Sequence, residues 1–392
     1  MGGPRDPRAL AVGLVLVGAT PIRDNEALSA ALLGLREPIA VDTEFHSEHR
    51  YRPKLMLVQI CGAGGQPVLV DARSGLDLGR LGAALSGRRL LTHAPTRDLQ
   101  LLAERAGLEP GVVLDTQTLA AFAGLGFPRS LDDLLRGVLD CEPKLGATLS
   151  DWSVRPLSDE QLRYAADDVR HLHPLTEALL ARLDGPRRSW SSQACAELVE
   201  AALRPVDPGR AWQRISASRI LDPEQLGVLQ ALAAWREQAA ADQNQPRWHV
   251  ASDAILVDLA RRRPATVEAL VANRKFPRRL ARAHGPLLVE LCGSSPPGRA
   301  QLRPSRRAAL EAYLGALAHR LSLELGVAPD LLIPQSELSS WVDWFEAVIR
   351  GDDRPIPVSG WRKRALEGEL SRFVTGEISL SFKDLTGRDR LR

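Results

Sequence analysis

The segment Val41-Asp42-Thr43-Glu44-Phe45 sets two carboxylates two residues apart behind the apolar pair Ile39-Ala40. In a β-strand, alternate side chains share a face, so Asp42 and Glu44 are expected side by side. Two carboxylates in contact repel unless water solvates the strand end or a cation lies between them, and oxygen ligands of this kind suit a hard divalent ion. A third acid, Asp98, falls early in a predicted helix, where the helix dipole favours it and where ligands of open α/β sheets gather. In Tyr164-Ala165-Ala166-Asp167-Asp168 the four-residue spacing puts the Tyr164 hydroxyl and the Asp168 carboxylate on one helix face, while Asp167 points elsewhere.

The elements that must carry these side chains are legible from periodicity. Ile39 to Phe45, Leu55 to Cys61 and Val68 to Asp71 are short β-like runs separated by turn formers, and Arg89 to His93 and Val112 to Leu114 are two more. Helical spacing runs over Asn25 to Leu35, Leu76 to Leu85 and Pro95 to Ala106, with proline at the opening of the last. Ser158, with Gln161 three residues on, forms a capping box at the start of the helix that bears Tyr164 and Asp168. Asp115 is expected to cap or brace the helix that follows it, and His171 and His173 are expected to face solvent. Strands interleaved with helices give an α/β domain. Beyond the breaker-rich stretches Pro186 to Ser192 and Arg204 to Gly209, read as linkers, the strand signal ends and helical spacing takes over.

The segments VDTEF (Val41 to Phe45), THAPTRDLQLL (Thr92 to Leu102) and YAADD (Tyr164 to Asp168), in this order, resemble the three motifs of the DEDD 3′-to-5′ exonucleases. Within them the sequence is similar to the tyrosine-bearing branch and its ribonuclease D family. LDTQTLAAF (Leu114 to Phe122) and SDWSVRPLSDEQLRYAADDV (Ser150 to Val169) extend the likeness over residues 15–185. LDPEQLGVLQALAAWREQAA (Leu221 to Ala240) and VASDAILVDLARRRPATVEAL (Val250 to Leu270) resemble an HRDC domain, a helical nucleic-acid-binding module. WVDWFEAVIRG (Trp341 to Gly351) and Gly360-Trp361-Arg362 carry a fainter likeness to a second such unit.

The resemblance implies an α/β ribonuclease H-like exonuclease domain, a mixed sheet covered by helices, over residues 1–203. Two all-α HRDC-type domains would follow, over residues 204–295 and 296–392. It further implies that Asp42, Glu44, Asp98 and Asp168 hold two divalent ions, Mg²⁺ or Mn²⁺, about 4 Å apart, and that Tyr164 orients the attacking water. The implied reaction trims RNA 3′ ends, tRNA precursors among them, by phosphodiester hydrolysis that releases 5′ mononucleotides. Phe45, Gln59 and His93 are candidates to touch the terminal nucleotide. Arg261, Arg262, Arg263, Arg274, Lys275, Arg278 and Arg279 are candidates to meet RNA phosphates in the helical module. A DNA-directed exonuclease of the same fold, or a binding protein whose nuclease has decayed, are the alternatives. All four acids and the tyrosine are present, which argues against decay, and no GxxxxGK[ST] motif of a helicase occurs.

The whole-chain charge of +3 hides a division. Residues 1–200 carry 22 basic and 26 acidic side chains, whereas residues 201–300 carry 15 and 9. An acidic module that gathers cations, followed by a basic one, fits a polyanionic partner. Four cysteines far apart, with no CxxC pair, exclude a zinc ribbon and a disulfide scaffold and fit a reducing cytoplasm. Arg5 and Arg8 before the apolar run Ala9 to Val17 imitate a short signal peptide, though the run reads equally as a first β-strand. No stretch reaches the roughly 20 apolar residues of a membrane span, so no membrane partner is expected, and a monomer is.

Overall fold

Leu55 to Cys61 is apolar at nearly every position, the pattern of a strand covered on both faces, and the structure buries all seven residues. The computed structural model describes residues 20–142, 150–273, 276–298, 304–352, 355–374 and 377. The run Ala9 to Val17 and the pair Arg274-Lys275 lie outside the described residues. The chain forms two compact units, one of Met1–His46, Leu55–Leu119 and Arg129–Arg182, the other of Ser47–Lys54, Ala120–Pro128 and Leu183–Arg392.

The first unit is built on a sheet of β1 (Ile39–His46), β2 (Lys54–Gly62), β3 (Val68–Asp71), β4 (Leu90–Thr92) and β5 (Val113–Asp115), in the order β3-β2-β1-β4-β5. β1 pairs with β4 and β4 with β5 in parallel, while β2 pairs with β3 antiparallel, so the sheet is mixed. Its helices are α1 (Asn25–Leu33), α2 (Leu78–Leu85), α3 (Thr96–Ala106), α4 (Thr116–Phe122), α5 (Leu131–Leu139), α6 (Asp159–Arg170) and α7 (Leu172–Ala181); α4 runs on into the second unit. Ala40, Cys61 and Leu91 of the sheet pack with Val169 and Leu172, and Met56, Leu57 and Leu69 pack with Trp152, Leu157 and Ala165. α6 thereby lies along the carboxylate-bearing face.

α2 packs on α3, and they meet at Gly82. A Cβ there would stand 1.8 Å from the Ala106 carbonyl oxygen, so only glycine permits this approach. A second anchor fixes the entry to α6. Arg155 forks onto Asp71 at the end of β3, with Nε and Nη2 2.8 and 2.7 Å from its two oxygens, and also donates to the Met56 and Trp152 carbonyls. Burial would raise the Asp71 carboxyl, but the Arg155 fork and the Arg73 backbone N–H outweigh it and hold it below the usual range.

The second unit contains α8 (Gly185–Leu203), α9 (Pro223–Gln243), α10 (Arg247–Val250), α11 (Asp253–Arg262), α12 (Val267–Val271), α13 (Arg278–Ser294), α14 (Pro304–Leu325), α15 (Pro329–Leu332), α16 (Leu338–Ile349) and α17 (Gly360–Val374). The reading of Pro186 to Ser192 as a linker is corrected here, because those residues open α8. Proline in the first turn lacks only an N–H that the helix would leave unpaired, so it starts this helix rather than breaking it. Residues 211–292 share one apolar core, with Leu226, Leu229, Leu232, Leu256, Leu259 and Leu288 at its centre. Farther along, Trp361 of α17 is fully covered and stands edge-on to Phe122 at 4.8 Å. All four cysteines are free thiols. Among the described residues no helix is long and apolar enough to cross a membrane.

Candidate active site

β1 enters the site as an apolar strand and leaves it as a charged one. Ile39 and Ala40 lie in register with Leu90 and Leu91 of β4, and the next residues on the Ala40 face of β1 are Asp42 and Glu44. Because β1, β4 and β5 are parallel, their carboxyl ends share one edge of the sheet, the edge at which α/β folds bind ligands. α6 crosses this edge. Ser158 caps it through the Gln161 N–H, and the Gln161 side chain accepts from the Ser158 N–H, completing the capping box. Ala165 and Ala166 are fully covered, so the helix backbone lies close to the sheet and Asp168 reaches it.

Asp42, Glu44 and Asp168 converge. Each offers a carboxylate oxygen within 4.8 Å of the others, and all three are half-buried. Tyr164, one turn before Asp168, donates its hydroxyl to the Asp168 carboxylate, and its ring packs with Trp152 at a centroid distance of 6.2 Å. Asp98, in the first turn of α3, is buried and is not one of this triad. Thr43, on the opposite face of β1 from Asp42 and Glu44, donates its Oγ1 hydrogen to Asp98 Oδ1 and holds that carboxylate against the strand.

Burial is the largest cause of a high carboxyl pKa at all four acids. Asp42 is raised well above the usual range by burial, then by Asp98, Asp168 and Glu44. Burial, then Asp168 and Asp98, push Glu44 up to about 8. Asp168 is raised to about 7 by burial and by Asp132 and Asp167, against the Tyr164 hydrogen bond. Asp98 rises to about 6 by burial, with the Thr43 hydroxyl opposing. A site that strains against its own ionisation, with oxygen donors only, has the chemistry of a divalent-metal site. A cleft of about 220 Å³ opens beside it, lined by Tyr164, Asp168, Asp132 and His171.

The turn that aims α3 at this edge was not evident from periodicity. Ala94, between β4 and α3, has φ +52°, and its N–H donates to Asp115 Oδ1 at 2.8 Å. Asp115 also accepts from Gln117 N, Thr118 N and the Thr118 hydroxyl, so it braces the following helix as expected and the Ala94 turn besides.

Of the candidates to touch the terminal nucleotide, Gln59 is covered, whereas His93 and Phe45 keep some exposure. Gln59 is fully covered between its neighbours in β2 and β3; neither atom of its carboxamide has a partner, and a side chain without exposure does not touch a substrate. His93 is turned inward, its Nδ1 2.9 Å from Thr116 Oγ1, with a further hydrogen bond to the Arg129 backbone. His171 and His173 are half-buried rather than solvent-facing, Nδ1 of His171 on the Asp167 carbonyl and Nε2 of His173 on the Cys61 carbonyl, each at 2.9 Å. Phe45 stays half-exposed at the end of β1, beside Glu44.

In the helical module, Arg261, Arg262, Arg263, Arg278 and Arg279 are exposed. Arg262 is bound to Asp258 at 2.6 Å and Arg263 to Glu224, so part of their charge is already neutralised.

A 3′-5′ exonuclease family model matches residues 19–184 and an HRDC domain model matches residues 225–292. The chain is 33 % identical over 363 residues to the ribonuclease D of Pseudomonas paraeruginosa, covering 88 % of this chain and 94 % of that protein. It belongs to the ribonuclease D family. The ribonuclease D of Granulibacter bethesdensis is likewise 33 % identical, over 379 residues, 92 % of this chain and 94 % of that one. Escherichia coli RNase D, described as an exoribonuclease involved in structured RNA processing, superposes with a TM-score of 0.76 at 25 % identity, covering 92 % of this chain and 99 % of that one. The mixed sheet with its helices and the HRDC helices are thus those of a ribonuclease D. As a member of the family, the chain is a 3′-5′ exoribonuclease.

Proposed function

We propose that this chain trims RNA 3′ ends, tRNA precursors among them, one nucleotide at a time at the edge of β1, releasing 5′ mononucleotides. The observation that carries the reading is the convergence of Asp42, Glu44 and Asp168 beside Tyr164, with these three carboxyl groups and Asp98 all raised chiefly by burial. The residues fit two divalent ions of the Mg²⁺ or Mn²⁺ class, held by Asp42, Glu44, Asp98 and Asp168. When bound, such ions supply Lewis-acid charge neutralisation at the phosphodiester.

The chain's own groups do the rest. Asp42 and Glu44 project from a strand locked into the sheet, so their separation is fixed before substrate arrives. The Tyr164 hydroxyl, held by Asp168, is placed to orient the attacking water, and Phe45 to meet the terminal base. Arg261, Arg274, Lys275, Arg278 and Arg279 are phosphate contacts of the helical module, with smaller shares from Arg262 and Arg263. Residues 1–203, 204–295 and 296–392 act as exonuclease, HRDC and second HRDC-like domains of a monomer that works in the cytoplasm.

The test uses 3′-extended tRNA, single-stranded RNA and single-stranded DNA, each with Mg²⁺ and with EDTA. Metal-dependent release of 5′ mononucleotides from the RNAs supports the reading. Equal turnover of DNA, or turnover in EDTA, contradicts it.

A further inference from the structure

The helical module carries a pocket that the reaction site does not use. It is a cavity of about 260 Å³ between the α9–α11 segment and α13, and Trp248, His249, Gln245, Ser252, Arg279 and His284 are among its lining residues. Its volume lies below the roughly 300–1,000 Å³ of pockets that enclose whole drug-sized ligands and leaves room for one ring system with its water. No aspartate or glutamate lines it, and Arg279 has no ion-pair or hydrogen-bond partner among the described residues.

Trp248 is 63 % exposed, the one aromatic side chain among the large exposed hydrophobics of the described residues. An indole left in water is unfavourable for folding alone. It is also held rigidly. The neighbouring Arg247 forks onto the buried carboxylate of Glu237 at 2.5 and 2.6 Å and lies over the Tyr51 ring at 5.0 Å, which pins the short helix that presents Trp248. The His249 ring stands 5.3 Å from the indole, and at the far side His284 meets Trp235 edge-on at 5.1 Å. A pinned, exposed aromatic face beside an unpaired guanidinium and side-chain amides is the arrangement by which proteins hold unpaired bases.

We propose that this pocket is a base-binding subsite, in which one unpaired nucleobase of the RNA stacks on Trp248 while Arg279 meets an adjoining phosphate. The subsite rests on the exoribonuclease reading for its ligand. It differs in kind from the arginine run Arg261 to Arg263, because it grips a base rather than the backbone.

The test measures binding of single-stranded RNA to the full-length chain in an Asp42→Asn background, which keeps the substrate intact. Adding Trp248→Ala should weaken binding about tenfold, as expected for the loss of one stacked base, and Trp248→Phe should restore most of it. Replacing single bases of the RNA by abasic units should reveal one position whose loss weakens the parent about tenfold and the Trp248→Ala protein hardly at all. Arg279→Ala should lower the salt dependence by about one phosphate contact. Thermal melting should be unchanged by Trp248→Ala, since the side chain is mostly in water.

Parent-like affinity of the Trp248→Ala protein overturns the subsite, as does an abasic profile that is the same with and without Trp248. Altered self-association at unchanged RNA affinity also overturns it, assigning the face to a protein contact. Failure of the exoribonuclease reading looks different: the parent itself would not bind RNA, and the subsite would fall with it.

Discussion

Replacing Glu44 by glutamine should make the metal-free protein more stable, although it destroys part of the site. The Glu44 carboxyl is pushed up to about 8 from an ordinary 4.5, so the folded chain holds that proton more tightly than the unfolded one does. Stability is then unaffected by this group below about pH 4.5 and falls as pH rises toward 8. At pH 7 the unfolded chain ionises Glu44 while the folded chain keeps it mostly protonated, and this mismatch costs about 3 kcal/mol, against about 1 kcal/mol or less at pH 5. Glutamine has nearly the same shape and no charge to bury. For a unit of this size the gain at pH 7 corresponds to roughly 6–12 °C in the melting temperature.

The assay is calorimetric melting of wild type and Glu44→Gln in EDTA at pH 5 and pH 7, repeated with excess Mg²⁺. The variant should melt higher than wild type at pH 7 in EDTA, and the difference should shrink at pH 5. Mg²⁺ should raise wild type more than the variant, because a ligand stabilises the form that binds it. A variant that melts at or below wild type in EDTA at pH 7, or a difference independent of pH, would refute the claim that these carboxylates are held together against their own repulsion.

Three further outcomes are expected. Tyr164→Phe removes the hydroxyl that lowers the Asp168 pKa, so trimming should slow about 10²-fold or more and the acid limb of the pH–rate profile should move to higher pH; an unchanged profile would deny Tyr164 its place at the site. Arg155→Met removes the fork and leaves the buried Asp71 with the Arg73 N–H and a longer 3.3 Å contact to Arg23, and should cost about 3 kcal/mol in thermal or denaturant unfolding. Gly82→Ala forces α2 and α3 apart at Ala106 and should destabilise by about 2 kcal/mol or more, whereas alanine at the exposed Gly34, where a Cβ meets nothing, should be nearly neutral in the same melt.

What the sequence disclosed and what it hid follow from the range of each signal. The pairing of Asp42 with Glu44 is a period-two signal within one strand, and that of Tyr164 with Asp168 a four-residue signal within one helix, so both were legible locally. The capping box at Ser158 was legible for the same reason. Thr43 was not, because its role depends on Asp98, 55 residues away in the chain, arriving beside it. The Arg155–Asp71 fork likewise joins residues 84 apart.

Gln59 misled because a polar side chain near a motif looks available until the neighbouring strands cover it. Pro186 misled because proline marks both the end of a chain's regular structure and the first turn of a helix, and only the structure distinguishes them. Arg262 is a candidate phosphate contact by its place in a basic run, yet Asp258 precedes it by four residues, a pairing that helix spacing offers and that the count of basic residues conceals.

The central claim is that the carboxylate cluster gathers divalent ions in order to cut RNA from its 3′ end. It is tested most directly by titrating wild type and Asp42→Asn with Mn²⁺ and following, in the same samples, bound ion by paramagnetic resonance and shortening of a 5′-labelled RNA. Wild type should bind Mn²⁺ and shorten the RNA one nucleotide at a time in step with occupancy, while Asp42→Asn should melt no lower than wild type yet bind weakly and cut at background. An Asp42→Asn protein that trims RNA at the wild-type rate would contradict the account.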